Sequence, residues 1–94
     1  MTKGKALSKL SDVVLSCIYE AFGPYAVDVS WSGEYVDVIL VSVYGIESDQ
    51  KCMAIGELVS DIGNAYLKDT RFMVMCLTLN HEQTKKYHPE KGMK

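Results

Sequence analysis

Residues 25–44, YAVDVSWSGEYVDVILVSVY, have the pattern of two strands joined by a tight turn. From Tyr25 to Trp31, apolar side chains alternate with small or polar ones, as a half-buried strand requires. Ser32 and Gly33 follow, and glycine permits the positive φ of a two-residue turn. The stretch therefore predicts a β-hairpin, and the flanking sequence must supply the rest of the core.

A two-residue turn would also set the register of the hairpin. It would place Val29 opposite Val36 and Asp28 directly opposite Asp37. Like charges that face each other across a sheet cost up to about 1 kcal/mol unless a cation or donor lies between them. Asp28 and Asp37 are therefore a candidate polar interaction pair. They bind a divalent cation or a partner's basic group, or they are solvated or paired with Arg71.

The flanking sequence predicts two helices and a third strand. Residues 6–22 carry apolar side chains at helical spacing and end at Gly23-Pro24, which stops a helix. Residues 48–68 have the same spacing, and residues 71–79 alternate as a strand that is apolar on both faces. The chain thus divides into a polar lead (1–5), a single α+β domain (6–80) and a polar, flexible, basic tail (81–94).

The order of elements predicts a two-layer α-β-β-α-β fold of the α+β class. Its sheet has three strands, and the two helices lie mainly on one face. A right-handed crossover through the second helix makes strand three run in the same direction as strand two. The strand order 2-1-3 is favoured, and the order 1-2-3 remains open.

The second strand of the hairpin is apolar on both faces. If the helices cover the face that holds Trp31 and the valines beside it, the opposite face stays open, with Tyr35, Ile39, Val41 and Val43 on it. Monomers rarely expose such a patch, and a homodimer packed sheet on sheet would cover it. Helices split between the two faces are the alternative. Trp31, near the turn, is either an aromatic anchor for a partner or the cover of one end of the core.

Composition and charge limit the class of protein. The chain has 94 residues, of which 48% are hydrophobic and 23% charged, as in a soluble globular domain. No apolar run approaches the roughly 20 residues that span a bilayer, and the first residues lack the apolar segment of a secretory signal. The three cysteines are odd in number and show no C-x-x-C spacing, which predicts free, buried thiols. We therefore expect a cytoplasmic protein that does not bind membranes.

The net charge of −2 is unevenly distributed. Residues 10–80 contain three basic and ten acidic residues, a net charge of −7, whereas both ends of the chain are basic. An acidic body repels phosphate, so nucleic-acid binding through it is not expected. It favours a partner protein with a basic surface.

Motifs of catalysis are missing from the sequence. No serine has the context of a nucleophile elbow, and no glycine-rich loop follows a strand to bind phosphate. His81 and His88 lack the spacing of a zinc site. The sequence therefore predicts no enzyme, no cofactor and no metal.

The order helix, hairpin, helix, strand resembles that of small K-homology-type RNA-binding domains, including the ribosome-binding factor A class. The resemblance implies a factor associated with RNA or with the ribosome. Such domains hold a nucleic-acid backbone with a basic G-x-x-G motif. This chain lacks that motif, and its second helix is acidic around Glu57 and Asp61.

The leading prediction is a small non-catalytic protein–protein interaction module, of adaptor or inhibitor type, that acts as a homodimer with an acidic body. The first alternative is a K-homology-like factor associated with RNA or the ribosome. The second is a small-molecule or metal-binding module at the dimer face.

Overall fold

The structure, a computed structural model, describes residues 2–33 and 37–87. Its elements follow in the order α1 (Lys3–Phe22), β1 (Ala26–Trp31), β2 (Val38–Ile46), α2 (Asp49–Leu67), β3 (Met73–Asn80) and α3 (His81–Tyr87). The fold is α+β, with a three-stranded mixed sheet. The predicted class and the predicted order of the first five elements are confirmed.

Polar side chains and a glycine set the ends of the long helices. Thr2 Oγ1 accepts from the Lys5 N–H, and Ser48 Oγ accepts from the Lys51 N–H, so each N-terminus is capped. Gly23 ends α1 with a φ of 101°, a conformation that residues with a Cβ rarely adopt. None of the described helices is both long and apolar enough to cross a bilayer.

The strand order is β1-β2-β3. β1 and β2 are antiparallel, and β2 and β3 are parallel. The order 1-2-3 that the sequence left open is therefore correct, and the favoured order 2-1-3 is wrong. β2 is apolar on both faces and is the most buried strand, and the central position is the one that covers it best.

The register of the hairpin differs from the predicted one. Val29 lies opposite Val41 rather than Val36. The Ser32 N–H donates to the Val38 carbonyl (2.9 Å), so the connection is longer than a two-residue turn. Because the shift in pairing is an odd number of residues, it turns β2 over, and the side chains predicted to face inward face outward.

Both α1 and α2 pack on one face of the sheet, as predicted. The core face, however, carries Ile39, Val41 and Val43, each with 0% of its surface exposed. Their predicted exposure on an open face is therefore wrong, because the inverted β2 turns them toward the helices. Tyr35, the fourth residue of that predicted face, lies outside the described residues.

A bulge at Gly45 returns β2 to the core before the strand ends. The pairing of β2 with β3 shifts between Val43 and Ile46, both of which are fully buried. Gly45 between them has a φ of 69°. An extra residue with positive φ reverses the alternation of a strand, which explains how Ile46 reaches the core.

Residues 81–87, assigned by sequence to the flexible tail, form α3. The Gln83 N–H donates to Asn80 Oδ1 (2.8 Å), and the Asn80 N–H donates to Gln83 Oε1 (3.1 Å). This reciprocal pair is a capping box. Thr84 is fully buried, and its Oγ1 accepts from the Gly45 N–H (2.7 Å), which docks α3 on the sheet. The rest of the predicted tail, residues 88–94, lies outside the described part of the chain.

Candidate protein-interaction surface

The side of the sheet that faces away from α1 and α2, which we name the outer face, is partly open. Met73, Met75 and Leu77 of β3 expose 66%, 53% and 45% of their surface. The strand alternates exposed and half-buried residues, so these three share one side. The outer face therefore presents a row of large apolar side chains.

The row on β3 continues onto β2. Val38 pairs with Met73 and Leu40 pairs with Met75, and both residues of β2 are half-buried. Residues paired across neighbouring strands point to the same side of a sheet. The five side chains form one apolar patch, and its two methionines can adapt to differently shaped partners.

The two aspartates singled out by sequence are not brought together. Asp28 lies opposite Ser42, and its Oδ2 accepts from the Tyr44 hydroxyl (3.2 Å). Asp37 forms an exposed ion pair with Arg71, with 3.2 Å between Oδ1 and Nε. The predicted opposition of the two carboxylates is therefore wrong. Residues 2–33 and 37–87 contain no group of three or more His, Cys, Asp or Glu that could hold a metal ion.

Trp31 is half-buried at the end of β1 and packs against the core. Its ring lies 5.5 Å from the ring of Phe72, centroid to centroid, at an angle of 52°. Lys3 Nζ lies 5.6 Å from the centre of the indole. These contacts join the start of α1, the end of β1 and the start of β3, so Trp31 covers one end of the core.

β3 forms one edge of the sheet among the described residues. The Met73 N–H donates to the Asp37 carbonyl (3.0 Å), so it points toward β2. Backbone groups alternate along a strand, and those of Val74, Cys76 and Thr78 therefore point away from β2. β3 contains no charged residue and no proline, the residues that most often protect an edge from pairing with another chain.

A groove of about 270 Å³ runs between this edge and α2. Gly63 on the helix side lies so close to Val74 that an added Cβ would meet its Cγ2 at 2.9 Å. Gly56 lies two turns earlier on the same side of α2, and an added Cβ there would meet nothing within 4 Å. Close packing on β3 therefore explains why position 63 is a glycine. No contact within the described part of the chain explains why position 56 is one.

A hydrogen-bonded cluster joins the start of β1 to the start of α2. The Tyr25 hydroxyl donates to Glu47 Oε1 (2.5 Å), and Lys51 Nζ lies 2.8 Å from Glu47 Oε2. The bond from Lys51 lowers the pKa of Glu47, while burial and the bond to Glu47 raise the pKa of Tyr25. Each group is thus held in the charge state it already has at neutral pH, which suits a structural clamp rather than proton transfer.

The three cysteines are free and half-buried, rather than fully buried as predicted. Burial, with a smaller effect of Cys52, raises the pKa of Cys76 to about 11. The thiolate is the nucleophile, and at neutral pH the Cys76 thiol is protonated.

Comparisons of the chain with protein-family models, with curated proteins and with solved structures find no match. The surface just described must therefore be interpreted from its own geometry. The fold and surface are those of a small two-layer α+β domain with an open apolar patch and an unprotected sheet edge.

The predicted open surface was on the wrong side of β2, because that prediction depended on the predicted register of the hairpin. The alternation predicted for residues 71–79 is present in β3, where Met73, Met75 and Leu77 alternate with less exposed residues. A signal for α3 is present in the Asn80-x-x-Gln83 spacing, which is a capping pattern.

Proposed function

We propose that this protein is a small non-catalytic protein-binding module that associates first with itself, through the β3 side of the sheet. One observation carries the proposal: Met73, Met75 and Leu77 stand side by side, each between 45% and 66% exposed, in a domain with an otherwise well-packed core. Large exposed apolar patches on soluble domains mark sites of protein interaction.

The surroundings of the patch support a protein partner. Polar groups border it, with Asp28 on β1 and the Asp37–Arg71 ion pair beside the start of β3. An apolar centre with a polar rim is the usual arrangement of a protein interface. The acidic body, in contrast, repels nucleic acid and favours basic groups around the contact.

The proposal is tested by light scattering over a dilution series, with Met75→Lys as the variant. Met75 is 53% exposed, so the lysine leaves the core intact. Tyr19→Lys is the matched control, because Tyr19 is an apolar residue of similar exposure (65%) on α1. We expect a dimer for the wild type and for Tyr19→Lys, and at least a tenfold weaker association for Met75→Lys.

A wild-type protein that stays monomeric at several hundred micromolar would overturn self-association. Equal association by Met75→Lys and the wild type would move the interface away from β3. Equal weakening by Met75→Lys and Tyr19→Lys would indicate an effect of net charge rather than of the patch.

A further inference from the structure

We infer that the open edge of β3 pairs antiparallel with β3 of a second copy of this chain, about a two-fold axis at Cys76. The two sheets then form one continuous six-stranded sheet. This geometry rests on the proposed self-association and specifies how it is built.

The hydrogen-bonding groups at the edge fit such a pairing. A two-fold axis at Cys76 sets Cys76 opposite its own copy and Val74 opposite Thr78 of the second copy. These are the residues whose backbone N–H and C=O groups point away from β2, and each such pair exchanges two hydrogen bonds. The ladder ends at Asn80, because its N–H already donates to Gln83 Oε1.

The side chains are compatible in the same register. On the outer face, Met75 comes opposite Leu77 of the second copy and Met73 opposite Leu79. All of these are apolar, and β3 has no charge that its own copy could repel. The other edge strand, β1, is shorter and carries Asp28 on its outer side, so β3 is the edge suited to a second copy.

The pairing also gives Gly56 a role. α2 runs antiparallel to β3, because it returns the chain between two parallel strands. Gly63 lies against Val74. Cys76 is two residues further along β3, a distance of about 6.6 Å. The same distance along a helix corresponds to four to five residues. The axis therefore lies near Val59, with Gly56 and Ser60 beside it. Gly56 has no side chain and that of Ser60 is small, so α2 can approach its copy closely.

The area favours the edge over the outer face alone. Two β3 edges paired over eight residues would meet along about 26 Å, and a sheet with one helix layer is about 20 Å deep. The projected area of this edge contact is therefore roughly 500 Å². The outer face of three strands, about 14 Å wide, offers roughly 370 Å². A stable interface buries about 800 Å² per partner, and the edge comes closer to that area than the outer face does.

Disulfide trapping tests the register. Two chains are made, Met75→Cys and Leu77→Cys, both with the native cysteines changed to alanine. In the inferred dimer these positions face each other with Cα atoms about 4.5 Å apart, within reach of a disulfide. Position 75 and its own copy are diagonal neighbours about 7–8 Å apart. Mild oxidation of an equimolar mixture should give at least tenfold more covalent dimer than either chain alone.

Two outcomes would overturn the inference. If the protein is dimeric by light scattering but the mixture yields no more covalent dimer than the separate chains, the β3 pairing is wrong and the proposed self-association stands. If the wild type is monomeric at every concentration, both are wrong.

Gly56→Ala gives an independent measurement. Alanine at Gly56 should stabilise the monomer through its helix propensity, yet weaken the dimer at least fivefold by keeping the two helices apart. An unchanged dissociation constant would contradict the close approach of α2 to its copy.

Discussion

Gly56 and Gly63 show how the surroundings of a residue determine the effect of its substitution on stability. Both lie in α2, where glycine is less favourable than alanine by up to about 1 kcal/mol. Gly63 is buried against Val74, whereas a Cβ added at the half-buried Gly56 would meet nothing within 4 Å. The same substitution should therefore change stability in opposite directions at the two positions.

Gly63→Ala is expected to lower the free energy of unfolding by about 1–3 kcal/mol, because its Cβ would press on Cγ2 of Val74. Gly56→Ala, the matched control, is expected to raise it by about 0.5–1 kcal/mol. Urea unfolding at low micromolar concentration measures both. A Gly63→Ala protein as stable as the wild type would mean that α2 does not lie so close to β3.

At the scale of elements, α3 is a short helix that depends on its contacts with the sheet. Seven residues are too few to be helical in isolation, so the capping box of Asn80 and Gln83 and the burial of Thr84 must hold it. The contact with Gly45 joins the helix to the bulge at the end of β2. Loss of this one contact should therefore detach the whole element.

Thr84→Val is expected to destabilise the protein by about 1–3 kcal/mol. Valine keeps the shape of threonine but removes the oxygen that accepts from the Gly45 N–H. Thr84→Ser, which keeps the hydroxyl, is the control for the hydrogen bond. Limited trypsin digestion at Lys85 and Lys86, read by mass spectrometry, should become faster in Thr84→Val than in the wild type. Equal digestion rates would show that the hydroxyl does not anchor α3.

For the whole molecule, the side of β2 that faces the helices determines which surface is left for a partner. Val41 is fully buried beneath the helices, whereas Met75 on the outer side of β3 is half exposed. The molecule therefore has one closed face, which holds the core, and one partly open face, which carries the exposed apolar patch beside the β3 edge.

Val41→Lys is expected to abolish cooperative unfolding, because a buried unpaired ammonium costs several kcal/mol and a small domain has only about 5–15 kcal/mol of stability. Met75→Lys should unfold cooperatively with a stability close to that of the wild type. Thermal melts followed by circular dichroism make the comparison. A folded Val41→Lys protein would mean that this residue faces outward.

Local patterns in the sequence were sufficient for much of the fold. The spacing of apolar residues predicted α1 and α2, and the predicted stop at Gly23 matches the end of α1. The strand predicted over residues 71–79 is present as β3, and its burial alternates as expected. These features depend on interactions within a few residues, which a sequence displays directly.

The candidate surface could not be located in the same way. Its position depends on which side of β2 faces the helices, and that side depends on the pairing of Val29 with Val41 rather than Val36. Both sides of β2 are apolar, so periodicity does not distinguish them. The predicted opposition of Asp28 and Asp37 depended on the same pairing and was wrong for the same reason.

The amino-acid pattern thus specified which segments become helices and strands, because capping and apolar spacing are local. Packing of the whole chain set the strand order, turned β2 over and left β3 at the open edge. The physical reason is that a strand apolar on both sides gains nearly the same burial in either orientation. The orientation of β2 is then determined by contacts between residues distant in the chain, such as Trp31 with Phe72 and Gly63 with Val74.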